Sequence, residues 1–299
     1  MKKVFNFLVL LLSIILIGAI LYIIDFEYEN IPTLIEIMGI PALLLILFIT
    51  IIEFLLKVVR FNLTLENRIE FKKLVWPYFR GTYLSYLVPF RLLGEGVRAP
   101  IFKKENDLSY GQSLASISIE RLTDMLLITL VVFYTISYIN SLVSGLLLLS
   151  FFMFIVIMRT SWPIKLMKKL PSNKLFDFGI NYLETLNKML NHPEKMFKVS
   201  IITLVCWFLA FLRVWLILIF LNENISFFNV ISATSIAYLT SLISFLPGGL
   251  IGFEGGGIAV LLLMGVSQQI AVFSIFLERI YSFWLFLIVG IIMEIKNKL

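Results

Sequence analysis

The chain has 299 residues, of which 60% are hydrophobic and only 15% charged, against about 25% charged in an ordinary soluble domain. A water-soluble globule is excluded. One Cys (Cys206) and one His (His192) also exclude a disulfide framework, a structural zinc site and a Cys/His nucleophile pair, so neither metal nor cofactor is expected. The net charge of +6 falls mostly in loops between apolar runs, which favours anionic lipid headgroups over nucleic acid as the counter-charge.

Residues 4–24 carry no charge and follow Lys2 and Lys3. The run exceeds a signal-peptide core, lacks a small-residue cleavage site and precedes further spans, so it reads as a retained first transmembrane helix. The next loop holds Asp25, Glu27, Glu29 and Glu36 and no basic residue, whereas Lys57, Arg60, Arg68, Lys72 and Lys73 crowd residues 57–73. The positive-inside rule then places the N-terminus in the cytoplasm of a multi-pass cell-membrane protein. The first helix runs outward and a second, near residues 37–56, returns.

Residues 125–158 are 34 charge-free positions interrupted at Asn140-Ser141, which predicts a helical hairpin with its turn outside. Arg159–Lys198 holds eight Lys/Arg against three Asp/Glu, the strongest inside signal in the chain. Within it Leu175, Phe176, Ile180, Leu183, Leu186 and Leu190 recur near helical spacing. They predict a helix before Pro193, lying in the membrane interface or solvated in the loop. Residues 199–221 run outward to Asn222-Glu223-Asn224, and 270–292 form the last span, with Lys296 and Lys298 placing the C-terminus inside. Two segments are left, 74–102 and 228–265, each entering and leaving by one face. Both are hairpins, re-entrant or fully spanning.

Those two segments share a signature. The first reads Ser85-Tyr86-Leu87-Val88-Pro89-Phe90-Arg91-Leu92-Leu93-Gly94-Glu95-Gly96, and the second Ser244-Phe245-Leu246-Pro247-Gly248-Gly249-Leu250-Ile251-Gly252-Phe253-Glu254-Gly255. The order Pro, Gly, Glu, Gly is kept, and 31 residues after each proline stands a Glu-Arg pair, Glu120-Arg121 and Glu278-Arg279. Entry from opposite faces makes the two copies an inverted-topology repeat of the kind found in secondary transporters. The expected fold is therefore an all-α polytopic membrane protein in one transmembrane domain. Residues 1–36 supply the first helix and outer loop, 37–140 repeat 1, 141–198 the linking helix and basic segment, and 199–299 repeat 2.

The run Pro89, Arg91, Gly94, Glu95, Arg98, the later Glu120-Arg121, and Pro247-Gly248-Gly249 followed by Glu254 and Glu278-Arg279 resemble the flippase-like transmembrane region of lysylphosphatidylglycerol synthases. The resemblance covers nearly the whole chain. In the bifunctional members a soluble aminoacyltransferase domain follows this region, whereas here the chain ends six residues after Met293. The resemblance thus implies a lipid-translocating or lipid-binding membrane domain, not the synthase activity.

A charge at the bilayer centre costs roughly 2.5 to 3.5 kcal/mol on insertion scales, so Glu120, Arg121, Glu278 and Arg279 are expected to pair or to face a cavity. Neighbours on a helix point in different directions, which predicts cross-pairing of Glu120 with Arg279 and Glu278 with Arg121. Such pairs either lock two halves together or line a transport path. Arg91 and Arg98 have no counterpart in the second copy, where glycines stand. The expectation is a site for an anionic phospholipid or polyprenyl-phosphate-type lipid, with Arg91, Glu95 and Arg98 on one side and Gly248, Gly249 and Glu254 on the other. Snorkelling arginines and close-packed glycines are the plain structural alternatives. Local pairing accounts for Glu53 with Lys57, while Arg213 has no local explanation.

The reading favoured by these residues is a lipid-binding, flippase-like translocator. A membrane enzyme transferring a headgroup or sugar on a lipid carrier, with Glu95, Glu254, Glu120 or Glu278 as base, ranks lower because no Asp-x-Asp motif, His or nucleophile arrangement is present. A non-catalytic partner of a separate synthase is the third class.

Overall fold

A computed structural model describes residues 27–65, 68–88, 91–137, 159–169 and 174–296, with isolated positions between 15 and 22 and between 145 and 157. The helix expected at 4–24, the turn at Asn140-Ser141 and the helix at 142–158 lie outside the described residues.

After a 3₁₀ turn at Tyr28–Asn30, α1 runs from Ile31 to Thr64 and breaks at Gly39, whose φ of 74° is left-handed. Pro41 causes the break: it has no N–H to donate and its ring crowds the preceding turn. The helix continues past the expected end near residue 56, through Lys57 and Arg60. It can do so because Arg60 is neutralised inside the protein, as shown below.

The first signature segment forms α2 (Phe71–Ser85), α3 (Arg91–Gly96) and α4 (Arg98–Asn106). A reciprocal capping box then starts α5 (Tyr110–Ser137): Ser109 N donates to Gln112 Oε1 at 3.2 Å and Gln112 N to Ser109 Oγ at 3.1 Å. A short helix α6 (Trp162–Met167) and the amphipathic α7 (Lys174–Leu190) follow. The long α8 (Pro193–Phe220) starts with proline at its first position, where the missing N–H is harmless.

The second signature segment forms α9 (Phe227–Ile243) and α10 (Gly252–Leu263), joined by a turn at Pro247–Gly249. Ser226 caps α9 by accepting from Asn229 N. The chain closes with α11 (Gln268–Arg279), a π-helical turn at Ile280–Trp284 and α12 (Leu285–Lys296). Among the described residues all regular structure is helical.

Among the described residues three helical stretches are long and apolar enough to cross a membrane: Tyr28–Thr64, Pro193–Phe220 and Gln268–Lys296, of 37, 28 and 29 residues. A span needs about 20 residues. Their outer faces confirm the solvent, because Leu44, Phe48 and Ile51 on α1, Ile201, Leu204 and Phe208 on α8, and Ile288, Ile292 and Ile295 on α12 are exposed. Apolar stripes of that extent belong in hydrocarbon.

The chain forms two compact units. One joins Met1–Phe54, Phe79–Val97 and Phe208–Leu299; the other joins Leu55–Tyr78 and Arg98–Trp207. In the first, Ile46, Val214, Ile217, Ala237, Leu261, Ala271 and Val272 make an apolar core. In the second, the apolar face of α7 is spent on protein, with Leu186, Met189 and Leu190 buried against Ala115 and Ile119 of α5. Packing therefore covers the C-terminal half of the face that the sequence assigned to the interface or loop.

Gly94 and Gly252 hold equivalent posts in the first unit. A Cβ at Gly94 would collide with the backbone carbonyl of Ser85, and one at Gly252 with the carbonyl of Thr240. Each glycine stands five residues after the proline of its signature segment, Gly94 inside α3 and Gly252 at the start of α10, and each lets its helix press on the end of the helix before it.

Candidate functional site

Buried charge gathers in each unit around an arginine from a long helix. In the first unit Arg213 of α8 has 1% of its side chain exposed and Glu278 of α11 none. Arg213 Nε donates to Glu278 Oε2 at 2.6 Å and Nη2 to Oε1 at 2.7 Å, a bidentate fork. Its Nη1 reaches Glu53 Oε2 and, at 3.4 Å, Thr50 Oγ1 of α1. Arg213, which has no local explanation in the sequence, is thus the centre of the cluster.

Arg279, the next residue after Glu278, turns to a different partner. Its Nε donates to Glu254 Oε1 at 2.7 Å and its Nη2 to the Gly248 carbonyl at 3.0 Å. Its guanidinium carbon lies 4.8 Å from the Phe253 ring centroid and 4.7 Å from that of Phe283, within cation–π range. Phe283 sits in the π-helical turn, a feature that often marks functional positions. A Cβ at Gly248 would run into the Phe283 ring, so glycine is what lets the aromatic pocket close.

The turn that presents Gly248 departs from helical geometry at Gly248 (φ 62°), Gly249 (φ 73°) and Ile251 (φ 66°). A β-branched residue in that region is strained. Hydroxyls satisfy the carbonyls that the break frees: Ser244 Oγ donates to Leu250 O at 2.7 Å and Thr240 Oγ1 to Gly252 O at 2.6 Å. Irregular backbone in a membrane protein needs such partners.

In the second unit the central arginine is Arg60 of α1, fully buried. It donates to Glu120 Oε1 at 3.3 Å, to Asp124 Oδ1 at 2.6 Å and Oδ2 at 3.3 Å, and to Thr203 Oγ1 of α8 at 3.2 Å. Trp207 Nε1 donates to Asp124 Oδ1 at 3.0 Å, and Tyr78 OH to Glu120 Oε1 at 3.3 Å. Arg98 reaches Glu120 Oε2 at 3.1 Å and stacks on Tyr78, its guanidinium carbon 4.3 Å from the ring centroid. Arg121 meets Asp124 Oδ2 at 3.4 Å and keeps 26% of its side chain exposed.

The cross-pairing expected from the sequence is therefore corrected. Glu120 takes Arg60 and Arg98 rather than Arg279, and Glu278 takes Arg213 rather than Arg121. Adjacent residues do diverge, as helix geometry requires, but each finds an arginine or a carboxylate inside its own unit. Of the other expected site residues, Gly248, Gly249 and Glu254 come together with Arg279, and Arg98 joins Glu120. Glu95 is half-buried on α3, and Arg91 opens that helix.

Sequence reasoning missed Arg60 and Asp124 as partners of Glu120, although one signal was available. Thr50 precedes Arg60 by ten residues, and Thr203 precedes Arg213 by ten. Both threonines bond the carbonyl four residues back, to Ile46 and Val199, at 2.9 Å. Among the described residues no group of three or more His, Cys, Asp or Glu side chains stands where it would hold a metal ion.

Comparison with known proteins places these features in a family. The model for the lysylphosphatidylglycerol synthase TM region matches residues 7–290. The chain is 25% identical to the UPF0104 membrane protein PH1989 of Pyrococcus horikoshii, covering 95% of this chain and 96% of that protein. It is 23% identical to a UPF0104 membrane protein of Methanothermobacter thermautotrophicus, over 71% of this chain and 70% of the other. No solved structure matches.

Proposed function

Since the chain belongs to the lysylphosphatidylglycerol synthase transmembrane-region family, we propose that it binds an anionic or phosphate-linked lipid and carries it between leaflets as a flippase-like protein built on two inverted repeats. One observation carries this reading, the reciprocal bonding of two Thr-x₉-Arg segments. Arg213 of α8 bonds Thr50 of α1 in one unit, and Arg60 of α1 bonds Thr203 of α8 in the other. An exchange of this kind is what a repeated sequence segment would give, and each arginine also grips the Glu of a Glu-Arg pair. Inverted repeats with broken helices at a buried polar centre are the architecture of alternating access.

The headgroup class follows from the guanidiniums. Arg60, Arg98 and Arg121 surround Glu120 and Asp124 in the second unit, and Arg91 stands at the start of α3. Arginine forks match phosphate oxygens bidentately, where lysine offers only a point charge. Within the first unit, the helix that Arg91 opens packs on the glycine turn of Gly248 and Gly249, next to Glu254.

The test is lipid retention after purification, read by native mass spectrometry with the protein equilibrated in mixed phosphatidylglycerol and phosphatidylcholine. Wild type should retain phosphatidylglycerol in preference, and Arg91→Ala with Arg121→Gln should lower that retention several-fold while the protein stays folded. Equal retention of the two lipids by wild type would overturn the reading.

A further inference from the structure

We infer that Glu254 is a proton-binding carboxylate, and that its protonation uncouples it from Arg279 during the lipid-translocating cycle; the inference rests on the proposed function for the cycle but not for the proton. Two buried Glu–Arg pairs meet at the adjacent residues Glu278 and Arg279 and differ first in how the carboxylate is used. Glu278 spends both oxygens on Arg213. Glu254 spends Oε1 on Arg279, while its Oε2 is buried and has no hydrogen-bond partner. Glu254 has 1% of its surface exposed. An unpartnered anionic oxygen in a buried site is costly, and a proton satisfies it within the space present, where a larger ligand would need the turn to open.

Arg279 can survive the change. When the carboxylate is neutralised, a buried arginine ordinarily becomes an uncompensated charge. Arg279 keeps the Gly248 carbonyl and the faces of Phe253 and Phe283, so its charge retains partners of its own. Arg213 lacks any such aromatic pocket among the described contacts, which makes its fork the fixed lock and the Glu254 pair the labile one.

The groups around Glu254 come from each neighbouring element. Arg279 comes from α11, beside Glu278, which Arg213 holds. Tyr238 of α9 packs its ring on Phe253, at 5.1 Å between centroids. Glu95 belongs to α3, which packs on the Pro247–Gly249 turn. In the step itself a hydronium ion of the bathing solution gives its proton to Oε2 and leaves as water, the carboxylate becomes a neutral carboxyl, Arg279 stays charged, and nothing is oxidised. The link between α10 and α11 then weakens beside a turn already strained at Ile251.

Two measurements on the full chain test this. Infrared difference spectra of the detergent-solubilised protein, titrated with acid, should show, beside the bands of the exposed carboxylates, the carbonyl stretch of one further protonated carboxyl appearing reversibly. The band should be absent from Glu254→Gln, which mimics the neutral form and so should stay folded, and present but displaced in Glu254→Asp. Separately, the protein is reconstituted in sealed vesicles with fluorescent phosphatidylglycerol and a potassium clamp on the membrane potential. A one-unit pH gradient should drive up to about a tenfold leaflet ratio, the equilibrium value for one coupled proton, and Glu254→Gln should abolish that drive.

Wild-type and Glu254→Gln spectra that titrate identically overturn the proton site. Movement of phosphatidylglycerol by wild type that ignores the gradient overturns its coupling to the cycle. No movement under any gradient, with the band behaving as expected, instead overturns the proposed translocation and leaves the proton site standing.

Discussion

Arg213 meets Glu278 through two parallel hydrogen bonds of 2.6 and 2.7 Å, between side chains 65 residues apart in sequence with 1% and 0% of their surface exposed. Breaking one member of such a pair strands a buried charge, at a cost of about 3 to 5 kcal/mol. Arg213→Gln and Glu278→Gln should each destabilise on that scale, read as loss of the folded fraction in detergent. The double variant should recover part of the loss, with a coupling of at least about 0.5 kcal/mol. Strictly additive losses would mean that the two residues do not act as a pair.

Gly94 in α3 and Gly252 at the start of α10 give a second prediction. Gly94→Ala and Gly252→Ala push a methyl onto backbone carbonyls, of Ser85 and Thr240, that have no easy way to yield. Overpacking of this kind costs about 1 to 3 kcal/mol. Gly255→Ala meets nothing within 4 Å and should leave thermal stability unchanged. Equal stability of all three variants would remove the close approach as their reason.

Trp207 tests the second cluster with little change of shape. Its Nε1 donates to Asp124 Oδ1 at 3.0 Å. Trp207→Phe keeps an aromatic ring and removes the donor, so it should lower stability by about 1.5 to 3 kcal/mol, the range for a hydrogen bond to a charged group. Trp207→His, which restores a ring N–H, should recover part of that loss. Unfolding midpoints in detergent would distinguish the two.

Sidedness is the fourth prediction. Lys104 and Gln268 are both exposed, at the end of α4 and the start of α11. In a Cys206→Ser background, Lys104→Cys and Gln268→Cys should label from opposite faces of the membrane, as an inverted repeat requires. Labelling from one face would exclude that topology.

Composition and hydropathy by themselves determined the solvent, because 60% hydrophobic residues and runs longer than about 20 apolar positions leave the bilayer as the medium in which such helices are stable. The matching Pro-Gly-Glu-Gly order and the 31-residue spacing to each Glu-Arg pair located both buried polar centres from one-dimensional pattern alone. Only the tertiary structure decided the partners. Helix periodicity says that Glu120 and Arg121 diverge, and likewise Glu278 and Arg279, but not which distant helix each will face. Arg60, Asp124 and Glu53 look like ordinary charges near helix ends until packing buries them. A buried charge takes whichever counter-charge packing brings within hydrogen-bond reach, and for Arg60 with Glu120 and Arg213 with Glu278 that proximity is fixed by how helices pack between positions 60 and 65 apart in sequence.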